Sequence, residues 1–222
     1  MGVLTMVLGP SGAGKSTSLL HLGNANVEVL GCTGKRLPFR TPMPYRARCG
    51  YRDIYEALKR NDKRCYVIDD STYLMQFDNF RRAGEHGYDK FVKMAVSFET
   101  LLEAAMDTDE NTTVYFMHHP NFGDDGSPKP QTVGKMLDTQ LCVEGLFDVI
   151  LEAGVADGKH VFWTNEHGLA HTALNMFSDQ VIPNDLGAVD ERIREFWGME
   201  PLREPRAASP RTERMAEAVA AC

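Results

Sequence analysis

The sequence predicts an α/β fold: a mainly parallel sheet flanked by helices, with an antiparallel hairpin at one edge. Three observations carry this expectation. Apolar, β-branched runs of strand length alternate with segments of helical periodicity along the 222 residues, the pattern that buries a parallel sheet between helix layers. The first such run leads directly into Gly9-Pro10-Ser11-Gly12-Ala13-Gly14-Lys15-Ser16. That is G-x-x-x-x-G-K-[ST], a phosphate-binding P-loop, which needs a strand before it and a helix after it. Late in the chain, two β-rich runs flank an Asp157-Gly158 step, a tight-hairpin signal.

The elements follow in order. Gly2 to Leu8 is the strand that feeds the loop, and Ser16 to Leu22 continues as a short amphipathic helix. Val27 to Leu30 is a second strand. Gly34 to Tyr45 holds three prolines and reads as loop. Tyr51 to Arg60 places Ile54, Ala57 and Leu58 on one helical face. Arg64 to Ile68 is a strand ending at Asp69-Asp70. Tyr88 to Met106 is the longest amphipathic helix, and Thr113 to Met117 is a strand that runs into His118-His119-Pro120. Asn121 to Pro130 is polar and turn-rich, a mobile loop by composition. Leu146 to Glu152 and His160 to Thr164 are the hairpin strands, and Asp190 to Trp197 is a short helix. The expected globular unit is 1–198. Residues 199–222 read as a partly disordered tail with a short helix at Thr212 to Ala221.

Composition bounds the function. The chain is 43% hydrophobic and 25% charged, ordinary for a soluble globular domain. No apolar run reaches the roughly 20 residues that span a bilayer. The first core strand leaves no room for a leader, so the cytoplasm is the expected compartment. Cys32, Cys49, Cys65, Cys142 and Cys222 show no C-x-x-C spacing and suggest neither zinc nor disulfides. A net charge of −7 argues against a strongly basic nucleic-acid clamp. Lys35 to Arg64, however, holds ten Lys/Arg against three Asp/Glu. That segment is either a phosphate-binding patch or a solvated basic face.

Certain residues are placed to do chemistry. Glycines in the loop admit close approach of a polyphosphate, and its N–H groups form an anion nest at a helix start. Lys15 supplies a charge to the β and γ phosphates, and the Ser16 hydroxyl is placed to ligate Mg²⁺. Asp69 ends an apolar strand, the Walker B position for a second metal contact. Asp70 either polarises an attacking water or caps the turn at Ser71-Thr72. His118 leaves the neighbouring strand at the same end. It is either a γ-phosphate contact or an ordinary hydrogen-bonded histidine. Lys129 and Lys135, just beyond, would touch DNA or a neighbouring subunit's nucleotide. His167 and His171 have no evident carboxylate partner and do not read as a metal pair.

Several segments then recur in a family order. These are the P-loop, Gly34-Lys35-Arg36-Leu37-Pro38-Phe39-Arg40 and Tyr66-Val67-Ile68-Asp69-Asp70 with Tyr73-Leu74. Asn79-Phe80-Arg81-Arg82, Gly87-Tyr88-Asp89-Lys90-Phe91 and Val114-Tyr115-Phe116-Met117-His118 follow. Thr132-Val133-Gly134-Lys135-Met136-Leu137-Asp138 and Glu144-Gly145-Leu146-Phe147 complete the series. Together they resemble the small AAA/RecA-like P-loop ATPases of tailed bacteriophages, some grouped with RecA-like single-strand annealing proteins. The resemblance covers Met1 to Gly198. It implies a RecA-like core, ATP with Mg²⁺, single-stranded DNA as partner, a homo-oligomeric ring or filament, and the host-cell cytoplasm.

Carried over residue by residue, it places nucleotide contacts on Gly9, Pro10, Ser11, Gly12, Ala13, Gly14, Lys15, Ser16 and Thr17. Walker B falls on Asp69, the sensor position on His118, and the second DNA-binding loop near Gln131 to Lys135. One departure stands out. RecA recombinases carry a catalytic glutamate after an earlier strand, whereas Gly31-Cys32-Thr33 follows Val27 to Leu30 here. The water-activating role therefore falls to Asp70.

Two other functions compete. The P-loop also suits a nucleotide or small-molecule kinase, with Arg81-Arg82 as a lid over the phosphates. A nucleotide-dependent assembly or loading factor with little turnover is the other. No LSGGQ-like stretch follows the P-loop, which argues against a transporter ATPase.

Overall fold

Alternation along the strands decides how this sheet is covered. The computed structural model describes residues 1–23, 25–41, 43–123 and 126–202. In β1 (Val3–Leu8) every residue is buried, as expected of a strand with a helix layer on each side. Leu4, Met6 and Leu8 face one layer, and Val3 and Val7 face the other. The same split recurs in β2 (Val27–Gly31), β4 (Cys65–Asp69), β5 (Thr113–His118) and β8 (Val149–Ala156). One layer consists of α1 (Tyr51–Arg60), α2 (Thr72–Arg81) and α3 (Asp89–Met106), whose Ile54, Leu74, Met75, Phe98 and Leu102 pack on Met6, Ile68 and Phe116. The other is α5 (Leu186–Trp197) with a 3₁₀ turn at Thr17–His21. Leu186, Val189 and Ile193 pack there with Leu19 and Leu22.

The eight-stranded sheet has the order β10-β9-β8-β1-β5-β4-β2-β3. The edge strands are β3 (Tyr45–Ala47) and β10 (Val181–Pro183). Strands β3, β2, β4, β5, β1 and β8 are parallel neighbours, while β9 (Lys159–Trp163) and β10 extend the sheet antiparallel. This is an α/β P-loop NTPase fold with an antiparallel edge. Because β5 lies between β1 and β4, whatever leaves β5 sits between the P-loop and Asp69-Asp70. Register sharpens this: Leu8 lies opposite both His118 and Glu152, and Gly31 lies opposite Asp69. The parallel strands thus end on one line, where α/β sheets bind ligands.

The structure corrects several boundaries. Ser16 to Leu22 forms no α-helix. It forms a five-residue 3₁₀ turn, Thr17–His21, which packs against α5 on that face of the sheet. Asn121 to Pro130 is not all loop: β6 (Pro120–Phe122) and β7 (Pro128–Pro130) pair as a separate two-stranded sheet. The first hairpin strand starts three residues later than expected, since Glu144–Leu146 is a 3₁₀ turn. Asp157 and Gly158 both take positive φ, 50° and 74°, the two-residue turn the sequence signals. α2, β3 and β10 have no counterpart in the sequence reading, and neither does the short α4 (Lys135–Gln140).

Packing also continues past Gly198. Leu202 is buried, its carbonyl accepts from Asn26 Nδ2 at 2.9 Å, and Glu200 pairs with Arg64. The rest of the tail, with the expected helix at Thr212 to Ala221, lies outside the described residues. A buried network fastens α5 beneath the sheet. Asp190 accepts from Thr113 Oγ1 at 2.7 Å, Tyr115 OH at 2.8 Å and Arg194 Nε at 2.5 Å. No helix among the described residues is long and apolar enough to cross a membrane.

Candidate functional site

The site grows from the end of β1. After Leu8 the chain turns through Gly9, where an added Cβ would lie 2.7 Å from the Ala153 carbonyl of β8. Gly12 and Gly14 take φ of 82° and 98°, a region that side-chain-bearing residues rarely adopt. These curl the loop so that it closes over Lys15, which is buried at 6% exposure. Lys15 Nζ donates back to the carbonyls of Gly9 and Pro10, the latter at 3.1 Å. Burial brings its pKa down to about 8, against the opposite pull of Asp70 and Asp69. The ammonium is thus held at the loop's centre with incomplete charge compensation, ready for an anion.

Strand parity brings Asp69 to this point. Cys65 and Val67 of β4 face the α5 layer, so Asp69 faces that side too, where the 3₁₀ turn begins. Ser16 Oγ donates to Asp69 Oδ1 at 3.0 Å across 53 positions of sequence. Burial, reinforced by the Asp70 charge, lifts the Asp69 carboxyl to about 6, while the Ser16 hydrogen bond, Lys15 and Lys35 pull it down.

Asp70 takes a left-handed φ of 61°, a conformation aspartate tolerates better than most residues. That turn sends its carboxylate into the cleft and not onto the α2 N-terminus, which has no side-chain cap. Thr33 Oγ1 reaches Asp70 Oδ2 at 3.3 Å, Lys35 Nζ lies 3.6 Å from the same oxygen, and His119 Nε2 lies 3.4 Å from Oδ1. Burial raises the Asp70 pKa, but His119, Lys35 and Lys15 outweigh it and hold the carboxyl below its ordinary value.

His118 is not in the cleft. It shares the parity of Val114 and Phe116, so it points under the α3 layer, where its ring lies 6.3 Å from that of Phe98. It is fully buried, Nδ1 lies 2.8 Å from Ser71 Oγ, and Nε2 lies 3.0 Å from the Gln131 carbonyl. Burial lowers its pKa to about 4, so the ring is neutral. The tautomer that suits both partners carries the proton on Nε2 and donates it to Gln131. Of the two readings for His118, the structure supports the hydrogen-bonded one. His119, one residue on, faces the cleft.

A cleft of about 250 Å³ gathers Ser11, Gly12, Gly14, Lys15, Ser16, Thr17, Asp69 and Asp70 with His119, Lys35, Arg36 and His160. The last four were missed as site residues. Lys35 and Arg36 could have been found, because they follow the end of β2 and parallel strands present their ends to one site. His160 had no local signal. Lys129 is exposed on β7, and Gln131 follows it. Lys135 begins α4, but its side chain lies outside the described part.

Other charges are otherwise engaged. Arg46 and Arg60 hold buried Glu28 at 3.3 and 3.1 Å. Arg82 sits at the far end of α2, bound to Asp78 at 3.0 Å and to Glu85 at 3.3 Å. His167 does have a carboxylate partner, Glu152, at 2.7 Å. Cys32, Cys49 and Cys65 are buried, whereas Cys142 is exposed.

The residues present fit a magnesium nucleotide. An added Cβ at Gly12 would meet nothing within 4 Å, so the loop's crest is open to a ligand. Ser16 and Asp69 offer hard oxygen donors, which suit Mg²⁺. Among the described residues no cluster of three or more His, Cys, Asp or Glu could hold an ion. An ion at Ser16 and Asp69 would take its remaining ligands from phosphate and water, as Mg²⁺ commonly does.

Neither a protein-family model nor a curated protein matches the chain. Among solved structures it is similar to a prototypical ATPase from the type III secretion system of pathogenic bacteria, at 16% identity and a TM-score of 0.44. The match covers 68% of this chain and 51% of that one, so this chain spans about half its neighbour's length.

Proposed function

We propose that this chain binds ATP with Mg²⁺ and hydrolyses it, coupled to single-stranded DNA in recombination or replication. It would act as a homo-oligomeric RecA-like ATPase of the kind tailed bacteriophages encode. The observation that carries the catalytic half is the Ser16–Asp69 hydrogen bond of 3.0 Å beside Lys15. It joins the P-loop to the acidic strand end with the two metal-ligand types adjacent. Bound Mg²⁺ would neutralise phosphate charge and orient the γ phosphate.

The chain's own residues do the rest. Lys15 leaves the Gly9 and Pro10 carbonyls for the β and γ phosphates and stabilises charge that grows in the transition state. Asp70 lies across from the loop and receives the attacking water's proton or orients that water. Thr33 donates to Asp70, and His119 lies beside the same carboxylate. Lys35, 66% exposed on a long side chain, can move from Asp70 to the incoming phosphate and so release the carboxylate.

The DNA half is supported by Lys129, exposed on the β6–β7 hairpin. Gln131 connects that hairpin through His118 to Ser71, the residue after Asp70. Nucleic acid on the hairpin would act on Asp70 through this buried chain of contacts. The kinase reading is weakened, because neither proposed lid residue, Arg81 or Arg82, lines the cleft, and Arg82 is engaged with Asp78 and Glu85.

The deciding experiment measures phosphate release from ATP with and without single-stranded DNA, for the wild type and Lys15→Ala. Stimulated release that Lys15→Ala abolishes is the expected result. No release from ATP under any condition, or transfer to a nucleoside monophosphate in place of release, would overturn the proposal.

A further inference from the structure

The P-loop's crest is gripped from outside by residues that no phosphate-binding motif contains. His160, on β9, places Nδ1 at 3.1 Å from the Ala13 carbonyl. At Gly14 an added Cβ would lie 3.0 Å from His160 Nδ1 and 3.0 Å from Asn184 Oδ1. Asn184 comes from the corner between β10 and α5, and its amide nitrogen is buried without a hydrogen-bond partner. Both residues therefore belong to the antiparallel edge of the sheet, on the other side of β1 from Asp69 and Asp70.

The polarity of the site gives this edge a role. A carbonyl partner requires that His160 Nδ1 carry the proton, so in the neutral ring Nε2 is an acceptor. His160 is exposed and lines the same cleft as the P-loop residues. Lys15, Ser16 and the acidic pair define the terminal-phosphate end. From there the cleft runs past the loop to His160 on β9, so a nucleotide whose γ phosphate lies at that end can direct its nucleoside to this edge. Phosphate offers no donor at neutral pH, so an acceptor at that end of the cleft suits a ribose hydroxyl or a base amine.

We infer that His160 is a specificity-determining residue that reads the nucleoside. This rests on the ATP-binding reading above, and the test keeps the two apart. Binding of ATP, 2′-deoxy-ATP, inosine triphosphate and inorganic tripolyphosphate is measured by calorimetry for the wild type, His160→Ala, His160→Gln and Lys15→Ala.

The expected result is that His160→Ala weakens ATP about tenfold and leaves tripolyphosphate within about twofold, with partial rescue by His160→Gln, whose amide can replace the acceptor. A wild-type preference for ATP over the deoxy form assigns the contact to the ribose. A preference over inosine triphosphate assigns it to the amine. Equal weakening of ATP and tripolyphosphate by His160→Ala would show that the ring only shapes the loop, and would overturn the inference. Unchanged ATP binding would overturn it as well. The ATP reading itself fails separately, if wild type and Lys15→Ala bind every triphosphate alike. Retained tripolyphosphate binding also reports that the His160 variants are folded.

Discussion

Replacing Asp69 by asparagine should stabilise this protein while abolishing its activity. The folded carboxyl titrates at about 6, against an ordinary value of 3.8, chiefly because it is buried and faces the Asp70 charge. At about 1.4 kcal/mol per pH unit, that displacement corresponds to roughly 3 kcal/mol. Between pH 4 and 6 the folded state binds more protons than the unfolded chain. Stability therefore falls as pH rises through that window and is flat above it. Asparagine keeps an acceptor for Ser16 Oγ and removes the charge. Asp69→Asn should thus match the wild type near pH 4 and exceed it by about 2–3 kcal/mol at pH 7.5. For a chain of this size that is a melting-temperature rise of about 5–10 °C. The assay is urea denaturation of both proteins without nucleotide, at half-unit steps from pH 4.5 to 7.5. A variant equal to or less stable than wild type at pH 7.5, with an unchanged m-value, would refute the reasoning. It would mean that the carboxylate is already compensated in the folded state.

The same ionisation bears on ligand binding: Mg²⁺-nucleotide affinity should drop as pH falls through about 6, and magnesium-free nucleotide should show a smaller drop. Asp70→Asn should lower the hydrolysis rate by about 10²-fold or more with little change in nucleotide affinity, checked by steady-state kinetics beside equilibrium binding. His119→Ala should reduce turnover with only a small loss of stability. His118→Ala should mainly destabilise, since a fully buried ring bonded at both nitrogens is removed, and paired thermal melts and rate measurements separate these two. Asp190→Ala should cost about 3–5 kcal/mol, because it leaves the Arg194 charge buried and unpaired beneath the sheet. Thermal unfolding would reveal it, and a loss below about 1 kcal/mol would contradict the network's role.

Much of the fold was legible because its signals are local. The strand at Val3–Leu8, the helix at Tyr51–Arg60 and the turn at Asp157-Gly158 each carry their own periodicity or backbone preference. Others were not legible. Thr17–His21 has the sequence of a helix, yet it forms only a 3₁₀ turn packed against α5, a distant segment that no local signal announces. Strands β3 and β10 are three residues long, too short for alternation to register, and form only because an edge awaits them. The two histidines at the end of β5 illustrate the site. Counting parity from Val114 and Phe116 would have placed His118 under the α3 layer and left His119 to the cleft.

By itself, then, the sequence determined the P-loop, the acidic pair at Asp69-Asp70 and the α/β architecture that presents them, because each depends on neighbours a few residues away. Only the tertiary structure decided which partners surround them. Lys35 and His119 on Asp70, Ser16 on Asp69, and His160 with Asn184 on the loop's crest meet across distant parts of the chain. The physical reason is strand order and register: β5 lies between β1 and β4, and β8 to β10 continue the sheet beyond β1. Pairing between strands brings such residues within reach, and no spacing along the chain encodes it.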